Sequence, residues 1–109
     1  MGDRASISFR NGDWESVALF SHWRGSGLVV SARKYLGELK ADLQRPGGDI
    51  YKGMPLGRLD PPTVMIDFVR WLTKDMARVD GDLYLGKDSD DGDNSNQGHT
   101  IVTINTNGI

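Results

Sequence analysis

The sequence predicts an α+β domain in the order β-β-α-α-β-β, an antiparallel sheet of two hairpins with two helices on one face. Three observations lead there. Apolar–polar alternation around a turn fills the first 23 residues, three-and-four apolar spacing fills the middle, and alternation returns in the final third. Short local connections favour pairing of elements that follow one another in the chain.

The first strand is "RASISFR", with Ala5, Ile7 and Phe9 on one side and Arg4, Ser6, Ser8 and Arg10 on the other. "NGD" at 11–13 reads as the hairpin turn, because Asn and Gly tolerate positive φ. "WESVALFSHW" then returns, and its register decides what each residue faces. A three-residue loop sets Ile7 opposite Val17, Ala5 opposite Leu19 and Phe9 opposite Glu15. A two-residue Asn-Gly turn sets Phe9 opposite Trp14 and Ala5 opposite Ala18. The first register makes the better apolar face. It places Trp14, Ala18, Phe20 and His22 beside Arg4, Ser6, Ser8 and Arg10, and turns Trp23 toward the core.

"RGSG" at 24–27 breaks the strand. Leu28, Ala32, Tyr35, Leu36, Leu39 and Leu43 then trace an amphipathic helix, with Ser26 as its cap and "RPGG" as its stop. Gly37 inside it costs about 1 kcal/mol against alanine. Residues 45–60 show no period, and so long a connection is often functional. A second helix follows, with Asp60 as cap, Pro61-Pro62 in its first turn, and Met65, Phe68, Val69, Leu72 and Met76 as its buried stripe. "DLYLG" (82–86) and "HTIVTINT" (99–106) read as a second hairpin around the acidic loop "KDSDDGDNSNQG".

At 109 residues, 38% hydrophobic and 26% charged, with mean hydropathy −0.44, the chain reads as a single globular domain, 1–109. No apolar run approaches the roughly 20 residues of a membrane span. "MGDRASISF" lacks a signal-peptide layout, so a cytoplasmic protein is expected. Absence of cysteine removes disulfides, thiolate nucleophiles and thiolate metal sites. Net charge is −2, which argues against non-specific nucleic-acid binding as the main activity. The average hides an asymmetry: residues 1–59 carry +3 and residues 60–109 carry −5. Such a distribution can orient a partner.

Few residues point to chemistry. Ser21 and His22 are adjacent on a strand and so face opposite ways, which rules them out as a nucleophile and its base. His22, His99 and Asp3 are the only candidates for a metal or proton site, and their spacing is not characteristic. The loop at 88–99 fails the calcium-loop pattern, with Gly92, Asp93 and His99 at its fifth, sixth and twelfth positions. "GMPLGRLD" and "GGDIYKG" lack the Lys-Ser/Thr ending of a phosphate loop. No cofactor is expected. The best remaining feature is the face of Trp14, Phe20 and His22 beside Arg4 and Arg10. Those residue types suit a protein-binding patch, or stacking of unpaired bases. Burial of the same face under a helix or the 45–60 loop would make them plain core.

"MGDRASISF" and "LFSHWRG" together resemble small proteins of unassigned function, encoded in phage, plasmid and archaeal genomes, that open M-G-x-R-x-x-[IV]-x-F and carry [ST]-H-W-x-G. The matching residues are Met1, Gly2, Arg4, Ile7, Phe9, Ser21, His22, Trp23 and Gly25, in about the first quarter of the chain. The resemblance implies a viral or mobile-element setting, where small acidic α+β proteins bind and block a host protein. It brings no catalytic residues with it. The expected function is a regulatory or inhibitory binding protein with a host or cognate protein as partner. Single-stranded nucleic-acid binding by the same face is the alternative, and a metal-dependent hydrolase using His22 and His99 comes third.

Overall fold

The computed structural model describes residues 3–44, 60–78 and 81–104. Strands β1 (Ala5–Asn11), β2 (Trp14–Glu15) and β3 (Ala18–Ser21) are followed by helices α1 (Gly25–Gln44) and α2 (Pro61–Leu72). Strands β4 (Leu83–Gly86) and β5 (His99–Thr103) complete the fold. The α+β class and the element order are as the sequence predicts, with the returning strand divided into β2 and β3. Among the described residues no helix is long and apolar enough to cross a membrane.

The division of the returning strand is a β-bulge, and it corrects both registers considered above. Near the turn Asn11 faces Trp14 and Arg10 faces Glu15. Further along Ile7 faces Leu19 and Ala5 faces Ser21. One extra residue has entered at Ser16-Val17. The break in the ladder is filled by a side chain, since the Phe9 N–H donates to Ser16 Oγ at 2.9 Å. The turn itself is Gly12-Asp13, with Gly12 at φ 65°.

The second hairpin does not form. β4 pairs antiparallel with β3, while β5 pairs parallel with β1, so the strand order is β4-β3-β1-β5, with β2 extending β3 along β1. Residues 87–98 cross from one margin of the sheet to the other instead of turning back. A hairpin here would leave the Phe20 side of the sheet bare, and the crossing covers it. A Cβ at Gly92 would meet the Phe20 and Tyr84 rings, and one at Gly86 would meet Phe20 and Asp91. Phe20 is 0% exposed as a result.

Both helices pack on the opposite side. Ala5, Ile7, Phe9, Leu19, Leu83 and Val102 of the sheet meet Leu28, Ala32, Tyr35, Leu36 and Leu39 of α1 and Val64, Met65 and Phe68 of α2. Phe68 sits edge-on to Phe9 at 5.4 Å and tilted to Tyr35 at 5.4 Å between centroids. The Tyr35 hydroxyl donates to Asp67 at 2.7 Å, tying the helices together. α2 ends at Leu72, so Met76 falls in the following turn and not on the helical stripe.

Candidate functional site

A polar seam lies under the 87–98 crossing. Ser8 Oγ donates to Glu15 Oε2 at 2.6 Å, so its oxygen is left to accept from His99 Nε2 at 3.1 Å. In a neutral ring this is the Nε2–H tautomer, with Nδ1 accepting from Ser6 Oγ at 2.6 Å. Ser6 in turn accepts from Asn94 Nδ2 at 2.9 Å. The chain of donors therefore runs Asn94, Ser6, His99, Ser8, Glu15. A serine–histidine–carboxylate sequence suggests nucleophilic catalysis, but both serines are wholly buried. No substrate carbonyl can reach them, and the seam ties the acidic crossing to the sheet.

The Ser-His-Trp-Arg-Gly stretch is the corner that joins β3 to α1, and it closes around Asp82. The buried carboxylate accepts from the N–H groups of His22 and Trp23 at 2.8 and 2.7 Å and from the Ser21 hydroxyl. Arg24 Nε meets it at 2.8 Å. Gly25 follows because its N–H donates to the Asp3 carbonyl at 2.7 Å, and a Cβ there would overlap that carbonyl. Asp3, not Ser26, serves the start of α1: its carboxylate accepts from the Ser26 N–H at 2.8 Å. That bond holds the Asp3 carboxyl below its ordinary 3.8, with Gln97 adding a further donor.

The structure separates the residues expected to share one binding face. Phe20, His22, Arg4 and Arg10 lie on the helix-free side, but the bulge turns Trp14 to the side of Asn11, where it is 52% exposed. Phe20 is sealed under the crossing and stacked on Tyr84 at 5.0 Å. His22 leans on Tyr84 and Trp23. Arg4 pairs with Asp93 at 3.3 Å, and Arg10 Nε donates to the Gly12 carbonyl. The Asp93 carboxyl is held low chiefly by its hydrogen bonds from Ser95, with Arg4 assisting. Trp23 is 64% exposed and not on the core side, because the N–H groups of the corner turn inward to Asp82.

Asp3, His22 and His99 do not converge. Asp3 is held at the α1 N-terminus, while His22 and His99 lie on opposite sides of β1. Among the described residues no group of three or more histidines and carboxylates is placed to hold a metal ion. The 45–60 connection lies outside the described residues except for Asp60.

With one face under helices and part of the other under the acidic crossing, the sheet is left open, among the described residues, at its two margins. Each margin runs beside a helix. Leu83, Tyr84 and Leu85 of β4 line a groove of about 240 Å³ with Leu19, Met65, Ile66 and Val69. Ile101, Val102 and Thr103 of β5 line one of about 490 Å³ with Arg33, Leu36, Gly37 and Lys40. In both, three consecutive strand residues contribute, so the groove faces the strand backbone and not one row of side chains. Among the described residues no strand pairs with the outer side of β4 or β5.

Comparison of the chain with protein-family models, with curated proteins and with solved structures finds no match. Function is therefore read from the geometry of these margins.

Proposed function

We propose that the protein is a small cytoplasmic binding module that takes up an extended segment of a partner protein along β4. The partner strand adds to the sheet and inserts an apolar side chain against α2. The observation that carries this reading is the β4–α2 groove. Among the described residues none that lines it is charged, and it is bordered by Leu85 at 60% and Ile66 at 72% exposure. Exposed apolar surface of this kind marks interaction sites.

The backbone supplies the rest. The His22 N–H donates to the Asp82 carbonyl, and the register continues through Phe20–Tyr84 and Ala18–Gly86. Alternation along an antiparallel pair then directs the amides of 82, 84 and 86 toward β3 and those of Leu83 and Leu85 outward. Among the described residues nothing pairs with these two N–H and two C=O groups, so a partner strand finds them beside an apolar slot. A protein of this size that binds in this way acts by occupying its partner's surface, a regulatory or inhibitory role on a host or cognate protein.

The test is selection of ten-residue peptides from a displayed random library on the immobilised full chain, followed by calorimetric titration. Selected peptides are expected to carry an apolar residue flanked by strand-forming residues. They should lose at least about tenfold in affinity, some 1.4 kcal/mol, on Ile66→Asp and on Leu85→Pro. Leu85→Pro removes an outward N–H and leaves the β3 ladder whole, and Leu85→Ala separates the loss of that N–H from the loss of the side chain. Peptides that bind both variants as tightly as the original chain would refute the reading.

A further inference from the structure

We infer that the opposite margin, the β5–α1 groove, is a second binding site whose ligand is an extended acidic segment of a protein. The inference is independent of the β4 reading, because it rests on other residues and on charge. The Ser6 N–H donates to the Gly98 carbonyl, and the Ile104 N–H donates to the Arg10 carbonyl. With Ser6 beside His99 and Arg10 beside Thr103, this parallel pattern spends the Gly98 carbonyl, the N–H and C=O groups of Thr100 and Val102, and the Ile104 N–H on β1. The N–H and C=O groups of Ile101 and Thr103 therefore point outward, into the groove.

The far wall is one stripe of α1. Arg33, Gly37 and Lys40 stand at i, i+4 and i+7, which brings them onto a single helix face. Gly37 has no heavy atom within 4 Å of the position its Cβ would take, so the stripe carries a notch between its two cations. That gives the groove its depth and gives this mid-helix glycine a purpose that its helix propensity does not. The floor is Leu36 and Val102. Among the described residues no carboxylate lines the groove, and Glu38 of the same helix is turned away to the Trp71 indole.

An added strand would thus lie with its backbone on Ile101 and Thr103. Its alternate side chains would reach Arg33 and Lys40 across the notch. Carboxylates at alternate positions complement that wall, whereas lysines are repelled by it. The outward amides favour a polypeptide over a nucleic-acid strand, since both N–H and C=O of the margin are matched only by a peptide backbone.

The experiment is an NMR titration of the full-length 15N-labelled chain with two synthetic ten-residue peptides, one alternating valine and glutamate and one alternating valine and lysine. The glutamate peptide is expected to shift the amides of Ile101, Thr103 and the 33–40 stretch and to leave 83–85 unmoved. Arg33→Glu/Lys40→Glu should abolish that binding and admit the lysine peptide. Ile101→Pro, which spares the β1 ladder, should weaken the glutamate peptide at least tenfold. Circular dichroism melting confirms that each variant is folded. Equal binding of both peptides, shifts centred on 83–85, or equal shifts from a single-stranded oligonucleotide of the same charge would overturn the inference. Protection of Ile101 and Thr103 by self-association before peptide is added would do the same.

Discussion

Asp82 gives the sharpest test of how this fold is held. Replacing it by alanine leaves the Trp23 N–H without its acceptor at 2.7 Å. The His22 N–H loses the better of two acceptors but keeps the Asp82 backbone carbonyl at 3.1 Å. The buried Ser21 hydroxyl loses its acceptor as well, and each stranded donor costs about 1–3 kcal/mol. Arg24 loses its carboxylate, but its side chain is 29% exposed, so water recovers part of that interaction. The sum is about 2–6 kcal/mol, a large share of the 5–15 kcal/mol of a typical domain. In urea, with a slope of about 2 kcal/mol per molar, the midpoint should fall by roughly 1–3 M. Asp82→Asn is the discriminating partner. It keeps Oδ1 for the two backbone donors and the Ser21 hydroxyl and sets an NH₂ against Arg24 Nε, so about half the loss is expected, near 1–3 kcal/mol. A midpoint for the alanine variant within about 0.3 M of the original, or a costlier asparagine than alanine, would refute the reasoning.

Three further outcomes follow from the same geometry. Gly25→Ala should cost about 1–3 kcal/mol in denaturant titration, because its Cβ overlaps the Asp3 carbonyl; Gly27→Ala, with open space around it, should be neutral or slightly stabilising. Phe68→Ala should cost about 3–5 kcal/mol, since the ring is fully buried among Phe9, Tyr35 and Trp71. Asp3 is a carboxylate whose folded pKa lies below 3.8, so its contribution is whole above that value and is lost as pH falls through the lowered one. Asp3→Asn should therefore be less stable than the original chain at neutral pH and converge with it in acid, as thermal melts across the acid range would show.

The elements of this fold were legible because their signals are local. Alternation marks β1, and the three-and-four spacing of Leu28 through Leu39 and of Met65 and Phe68 marks the helices. What failed was non-local or lay in a single residue. The bulge depends on Ser16, whose hydroxyl replaces a ladder acceptor for Phe9, and nothing in "WESVAL" distinguishes that serine from a surface one. The bulge reverses Trp14 against Phe20 and so dissolves the aromatic face that a continuous strand predicts. The second hairpin failed because turn residues and flanking strands suit a crossing as well as a reversal. Only the need to cover Phe20 decides between them. In "DLYLG" Asp82 reads as no more than the first residue of a strand, yet a buried carboxylate there needs donors. The donors are the consecutive N–H groups of the Ser-His-Trp-Arg corner. The margins were not legible at all, since they exist only once β4 and β5 part to opposite sides.

The two margins also differ in how they are protected, and this has a measurable consequence. An open strand is a template for pairing with another copy, and proteins blunt it with charge, proline or shortness. β5 has Arg33 and Lys40 beside it, so two β5 margins repel one another. Among the described residues β4 has no charge in its groove, and what protects it is its length of four residues. A binding strand must stay unblocked to receive its partner, which is why the unguarded margin is the one assigned the primary ligand. Without that partner it should be the adhesive side of the molecule. Sedimentation velocity of the purified chain is expected to show association that rises with concentration, and Leu85→Lys should suppress it by placing a charge on the margin. Arg33→Ala/Lys40→Ala should not suppress it, because that change unguards β5 instead. If the original chain and Leu85→Lys sediment identically as monomers up to millimolar concentration, β4 is not an adhesive margin, and the apolar groove beside it loses its claim to a partner.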